Sequence, residues 1–108
     1  PSPEYNGGLT PLLVNTLAWI SRQKGRPFRH AVFGMGGVSS GKLSTVMSLA
    51  HLRDTLTKTM ALCASVDVRV GPGDKAFDAE GVLIDETAIS RADMLADQLM
   101  QLTTGLNG

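Results

Sequence analysis

Phe28-Arg29-His30-Ala31-Val32-Phe33 runs into Gly34-Met35-Gly36-Gly37-Val38-Ser39-Ser40-Gly41, and residues 42–60 follow with Leu43, Val46, Met47, Leu49, Ala50, Leu52 and Leu56 at helical spacing. The apolar end of the first run predicts a strand over 28–33. Four glycines in eight residues predict a loop over 34–41. Residues 42–60, with no internal Gly or Pro, predict the longest helix. Residues 61–70 read Ala-Leu-Cys-Ala-Ser-Val-Asp-Val-Arg-Val, apolar first and alternating later, which suits a strand buried on both faces that emerges at its end. Gly71-Pro72-Gly73 closes it. A strand, a helix long enough for a right-handed crossover and a second strand together define α/β architecture.

Working outward, residues 3–10 are rich in turn formers, and Thr10-Pro11 offers an N-cap followed by proline at the first helical position. Leu13, Leu17 and Ile20, widened by Leu12, Val14, Ala18 and Trp19, predict a helix over 11 to about 22. On the other side, residues 74–78 read as loop, and Ala79-Glu80-Gly81 as a tight turn before Val82-Leu83-Ile84. Asp85 is placed to cap a final helix to about residue 103, with Ile89, Ala92, Leu95, Ala96, Leu99 and Leu102 on one face. The predicted order is helix, strand, helix, strand, helix. Two strands are too few for a doubly wound sheet, which normally has about four to six.

The 108 residues suit one domain at 43% hydrophobic content. Ten Lys and Arg balance ten Asp and Glu, so no broad field draws the chain to nucleic acid or anionic lipid. No apolar run approaches the roughly 20 residues that span a bilayer. With a single cysteine, Cys63, no internal disulfide is possible, and a reducing, cytoplasmic setting is expected. The first residues, Pro1-Ser2-Pro3-Glu4, lack the pattern of a leader and start within a turn signal, as a fragment or a processed product would.

Gly36 through Lys42 has the spacing Gly, four residues, Gly, Lys of a nucleotide phosphate loop. Leu43 breaks it, because the motif needs a hydroxyl there for Mg²⁺, and Ser44 would point about 100° away on a helix. A dinucleotide fingerprint fails as well, since Ser39 stands where the third glycine belongs. His30 and His51 have no second ligand at metal spacing, so no metal is assigned. Cys63 reads as a small core residue, and of the five methionines only Met35 has a case for touching a ligand.

Pro3-Glu4-Tyr5-Asn6-Gly7-Gly8, followed by a helix carrying Asn15 and Trp19, resembles the flavodoxin-like NAD(P)H-dependent FMN reductases, a family that includes quinone, azo-dye and chromate reductases. The Gly-rich loop, the Leu52-Arg53 pair, the Ala76-Phe77-Asp78 segment and the closing helix follow in that family's order. The resemblance implies a flavodoxin-like doubly wound parallel sheet, of which residues 1–108 form the C-terminal portion. The N-terminal strands and a Ser-rich phosphate loop would lie before Pro1.

The resemblance further implies FMN and NAD(P)H as cofactors. Hydride would pass through FMN to a small-molecule electron acceptor such as a quinone, an azo compound, a metal oxyanion or free flavin. Pro3, Glu4, Tyr5, Asn6 and Gly7 would position the flavin ring, and Met35, Gly36 and Gly37 would line its other edge. Read from turn chemistry alone, residues 3–7 fit better an ordinary strand-to-helix connection capped by Thr10, a preference that the resemblance reverses. No catalytic acid or base is named, because the chemistry belongs to the cofactor. The helix bearing Arg53 and Asp54 is expected to pack between subunits of a homo-oligomer, a dimer or a tetramer. The alternative is a non-catalytic truncated fragment that binds no flavin and acts only in oligomerisation.

Overall fold

The computed structural model describes residues 1–41 and 43–107, with nothing described of the Ser44 side chain. Two adjacent positive φ angles near the amino end, +52° at Asn6 and +77° at Gly7, are what a two-residue type I′ turn requires. They join β1 (Glu4–Tyr5) to β2 (Gly8–Leu9), with Glu4 opposite Leu9 and Tyr5 opposite Gly8. The turn-rich segment is therefore a small antiparallel hairpin, shaped by Asn-Gly at the two central positions. Thr10 then caps α1 (Pro11–Ser21): its Oγ1 accepts from the Leu13 N–H at 3.1 Å, and Pro11 occupies the first turn.

The strand expected over 28–33 begins later. Arg26, at φ +48°, turns the chain into a 3₁₀ turn, Pro27–His30, that buries Phe28 against Phe33 at a ring separation of 5.8 Å. Proline pre-sets this turn and removes an N–H donor that a ladder would need. β3 spans Val32–Val38, so the glycines at 34, 36 and 37 lie within a strand rather than in a loop. Packing on both faces explains them. A Cβ at Gly34 would lie 2.9 Å from Leu99 Cδ1, and one at Gly37 would lie 2.8 Å from Thr45 Cγ2.

α2 (Ser44–Lys58) crosses over to β4 (Leu62–Val70), which pairs parallel with β3 from Val32 opposite Leu62 to Val38 opposite Val70. Lys42, the predicted start of this helix and the end of the phosphate-loop-like spacing, lies outside the described residues. α2 ends in a Schellman motif. The Ala61 N–H reaches the Leu56 carbonyl and the Met60 N–H reaches that of Thr57, with Met60 at φ +71°.

The ladder is irregular between Phe33 and Met35, where β4 carries two residues more than β3. Such a bulge frees backbone groups that need partners. Arg53 Nη1 donates to the Ala64 carbonyl at 2.6 Å, and Gln98 Oε1 accepts from the Val66 N–H at 3.0 Å.

After the cis Gly71-Pro72 bond, residues expected as loop form a single helical turn, α3 (Gly73–Ala76). Phe77 bridges Leu83, and Asp85 caps α4 (Glu86–Asn107) by accepting from the Ala88 N–H at 3.1 Å. α4 runs past the predicted end at 103.

Two apolar clusters result. Leu17, Phe28, Met35, Leu49, Leu56 and Ala61 form the larger, with half-buried Cys63 against it. Val70, Ala76 and Ala88 form the smaller. β4 is only partly covered, because Leu62, Ser65 and Arg69 are exposed.

Along β4, Asp67 gathers three arginines. Arg69 Nε lies 3.1 Å from Oδ1 and Arg91 Nη2 3.2 Å from it, while Arg53 Nη2 is 3.9 Å from Oδ2. Charges of this kind discourage a strand edge from pairing with another chain.

Candidate functional site

The two segments marked in the sequence meet at one hollow of about 670 Å³, between the hairpin and α1 on one side and β3 and α2 on the other. Pro3, Glu4, Met35, Gly36 and Gly37 all line it. Tyr5, Asn6 and Gly7 are absent from the wall: they form the outward tip of the hairpin, with Tyr5 59% exposed. Parallel-strand order explains the convergence, since loops and strand ends on the carboxyl side of such a sheet are the usual place for a ligand crevice.

The wall divides by chemistry. Leu13, Leu17, Leu49, Leu52, Leu56 and Phe33 supply apolar surface, while Ser39, Ser40, Thr45, Ser48 and Glu4 supply hydroxyls and one carboxylate. Among the described residues no Lys or Arg lines it. A volume of several hundred Å³ with mostly apolar walls and a few polar groups is what a flat organic ligand requires.

Met35 is 4% exposed and belongs to the larger cluster, so its side chain serves the core as well as the wall. Gly36 and Gly37 are held close by protein. A Cβ on Gly36 would come within 3.2 Å of the Val68 carbonyl, and that on Gly37 would meet Thr45. Their lack of a side chain thus serves strand packing as well as any approach by a ligand.

Two wall residues, Thr45 and Ser48, escaped the sequence reading. Both are buried, and the Ser48 hydroxyl donates to Glu4 Oε2. A serine inside a helix carries no marker of its own in sequence; the only available signal was two hydroxyl residues one turn apart on the inner face of α2. His51 is exposed beside the hairpin, His30 is exposed in the 3₁₀ turn, and no group of three potential metal ligands occurs among the described residues. Among the same residues, no helix is long and apolar enough to cross a membrane.

A parallel α/β unit with a strand-end crevice and a Pro-Glu-Tyr-Asn-Gly hairpin on its rim is consistent with a flavodoxin-like fold. Residues 1–71 match the NADPH-dependent FMN reductase family, and the chain belongs to that family. FMN and NAD(P)H are the cofactors that this membership implies.

Over 102 residues the chain is 31% identical to an NAD(P)H-dependent FMN reductase of Pseudomonas aeruginosa, covering 94% of this chain and 54% of that protein. Over 105 residues it is 29% identical to the NADH:(hydroxy)cinnamate reductase subunit CrdA of Vibrio ruber, covering 94% and 52%. The chain spans about half the length of these curated relatives.

Proposed function

We propose that these residues form the flavin-ring half of an FMN-dependent NAD(P)H oxidoreductase. One observation carries the reading: Pro3 and Glu4 of the hairpin share a single hollow with Met35, Gly36 and Gly37 of β3. FMN, when bound, supplies a ring that takes up hydride and passes on electrons. The chain's own part is to bind and orient. Apolar leucines would shed water from the ring, the hairpin would present Tyr5, Asn6 and the backbone of Glu4 and Gly7 at its rim, and the 35–37 segment would bound the far edge.

The wall suits a flat ring, because leucines and Phe33 give it apolar surface and the carboxylate of Glu4 would repel a phosphate. We therefore assign the phosphate to a Ser-rich loop outside these 108 residues and read the chain as the C-terminal part of one flavodoxin-like domain. Support comes from the length of the relatives and from β3, which pairs along one edge only among the described residues. A quinone, an azo compound, a metal oxyanion or free flavin would serve as the small-molecule acceptor. We further propose a cytoplasmic homo-oligomer, consistent with the unpaired Cys63 and with Leu12 and Trp19 standing exposed on α1.

Titration of FMN into the natural polypeptide carrying these residues, followed by quenching of flavin fluorescence, tests the reading. Saturable binding together with FMN-dependent NAD(P)H oxidation is expected. A protein that neither quenches nor turns yellow with added FMN overturns it in favour of a non-catalytic oligomerisation element.

A further inference from the structure

The hairpin has only two residues in each strand, too few to hold a position on its own. What holds it is one short stretch of α2. The Ser48 hydroxyl donates to Glu4 Oε2; Gly7 lies against Met47, with its Cβ position 3.6 Å from Met47 Sδ; and the Gly8 Cβ position is 3.9 Å from His51 Nδ1. Met47, Ser48 and His51 present one helix flank to consecutive hairpin residues. The geometry points to Ser48 as a positioning residue, whose hydroxyl, through the Glu4 carboxylate, fixes where the hairpin stands at the rim of the hollow. This inference rests on reading that hollow as the flavin-ring site.

Three features single out Ser48. It is 8% exposed, so water competes weakly for its proton. Its acceptor is a carboxylate, and hydrogen bonds to charged groups are the stronger kind. The helix does not depend on the bond to Glu4, since the Thr45 carbonyl stands 3.3 Å away as the local acceptor that helical serines commonly use. The single hydroxyl proton thus has a choice between an acceptor that does nothing for the hairpin and one that anchors it.

The test uses the natural polypeptide carrying these residues. Hydrogen–deuterium exchange without flavin should show residues 4–9 exchanging about 10-fold faster in both Ser48→Ala and Glu4→Ala, with residues 62–70 unchanged. Glu4→Gln keeps an acceptor oxygen and should retain most of the protection. FMN should bind about 5- to 20-fold more weakly to each alanine variant, and the double variant should lose no more than either single one, as expected for partners in one bond.

Unchanged hairpin exchange in both alanine variants, or losses in FMN affinity that multiply in the double variant, overturns the inference. Glu4→Ala alters a half-buried hairpin residue that belongs to neither apolar cluster, so the comparison survives if Ser48→Ala folds poorly. A parent protein that binds no FMN refutes the flavin reading instead, while the exchange data still decide whether Ser48 anchors the hairpin.

Discussion

At the scale of single residues, Gly37 and Thr45 show how closely β3 and α2 approach beside the hollow. Replacing Gly37 with alanine would set a methyl group 2.8 Å from Thr45 Cγ2 and 3.1 Å from Thr45 Cβ, a clash that turning the Thr45 side chain relieves only in part, since its Cβ stays close. Gly37→Ala should cost about 1–3 kcal/mol in urea-induced unfolding, the usual range for overpacking. Adding Thr45→Ser removes the nearer carbon and should restore part of that loss; an unaltered midpoint for Gly37→Ala would contradict the tight contact. Local backbone chemistry was legible at Asn6-Gly7, which announced a turn, whereas the glycines at 34, 36 and 37 announced a loop and lie in β3. Ser48 and Thr45 were not legible, because a hydroxyl within a helical stripe looks the same whether it faces water or a carboxylate.

At the scale of elements, α2 ends with Met60 in the left-handed region where glycine is the usual occupant. Met60→Gly should stabilise the protein by about 0.5–1 kcal/mol, because the Cβ strain at φ +71° exceeds the entropic cost of glycine. Thermal unfolding checks the sign, and a lower midpoint would mean that the contact of Arg29 Nε with Met60 Sδ, at 3.3 Å, outweighs the strain. Two helix starts were well read from sequence, since Thr10-Pro11 and Asp85 cap α1 and α4 as expected, but the helix expected to be longest, α2, has 15 residues against 22 in α4. The start of β3 was misplaced. Phe28 looks like strand material, yet Pro27 and the left-handed Arg26 commit it to a 3₁₀ turn. Gly34 to Gly37 then read as loop by composition, while contacts from Leu95 and Leu99 on one face and Thr45 on the other make a glycine-bearing strand the arrangement that fits. Those contacts come from residues distant in sequence, which no local pattern reports.

At the scale of the whole molecule, the interior consists of two modest clusters rather than one continuous core. Leu56, 2% exposed at the centre of the larger one, should cost about 2–4 kcal/mol when cut to alanine, whereas Leu12, 76% exposed on α1, should cost less than about 0.5 kcal/mol. Equal losses in denaturant unfolding would mean that the α1 surface is covered in solution. The α/β class was visible in the order of periods along the chain, but the division of the interior was not, because it depends on where β4 bulges and on which helix closes over each end. Strand β4 lends Cys63 to the larger cluster and Val68 to the smaller, and the two clusters share no side chain. Thermodynamic independence follows from that separation: a lesion at Leu56 and another at Ala88 should sum arithmetically, while paired lesions inside either cluster should display epistasis.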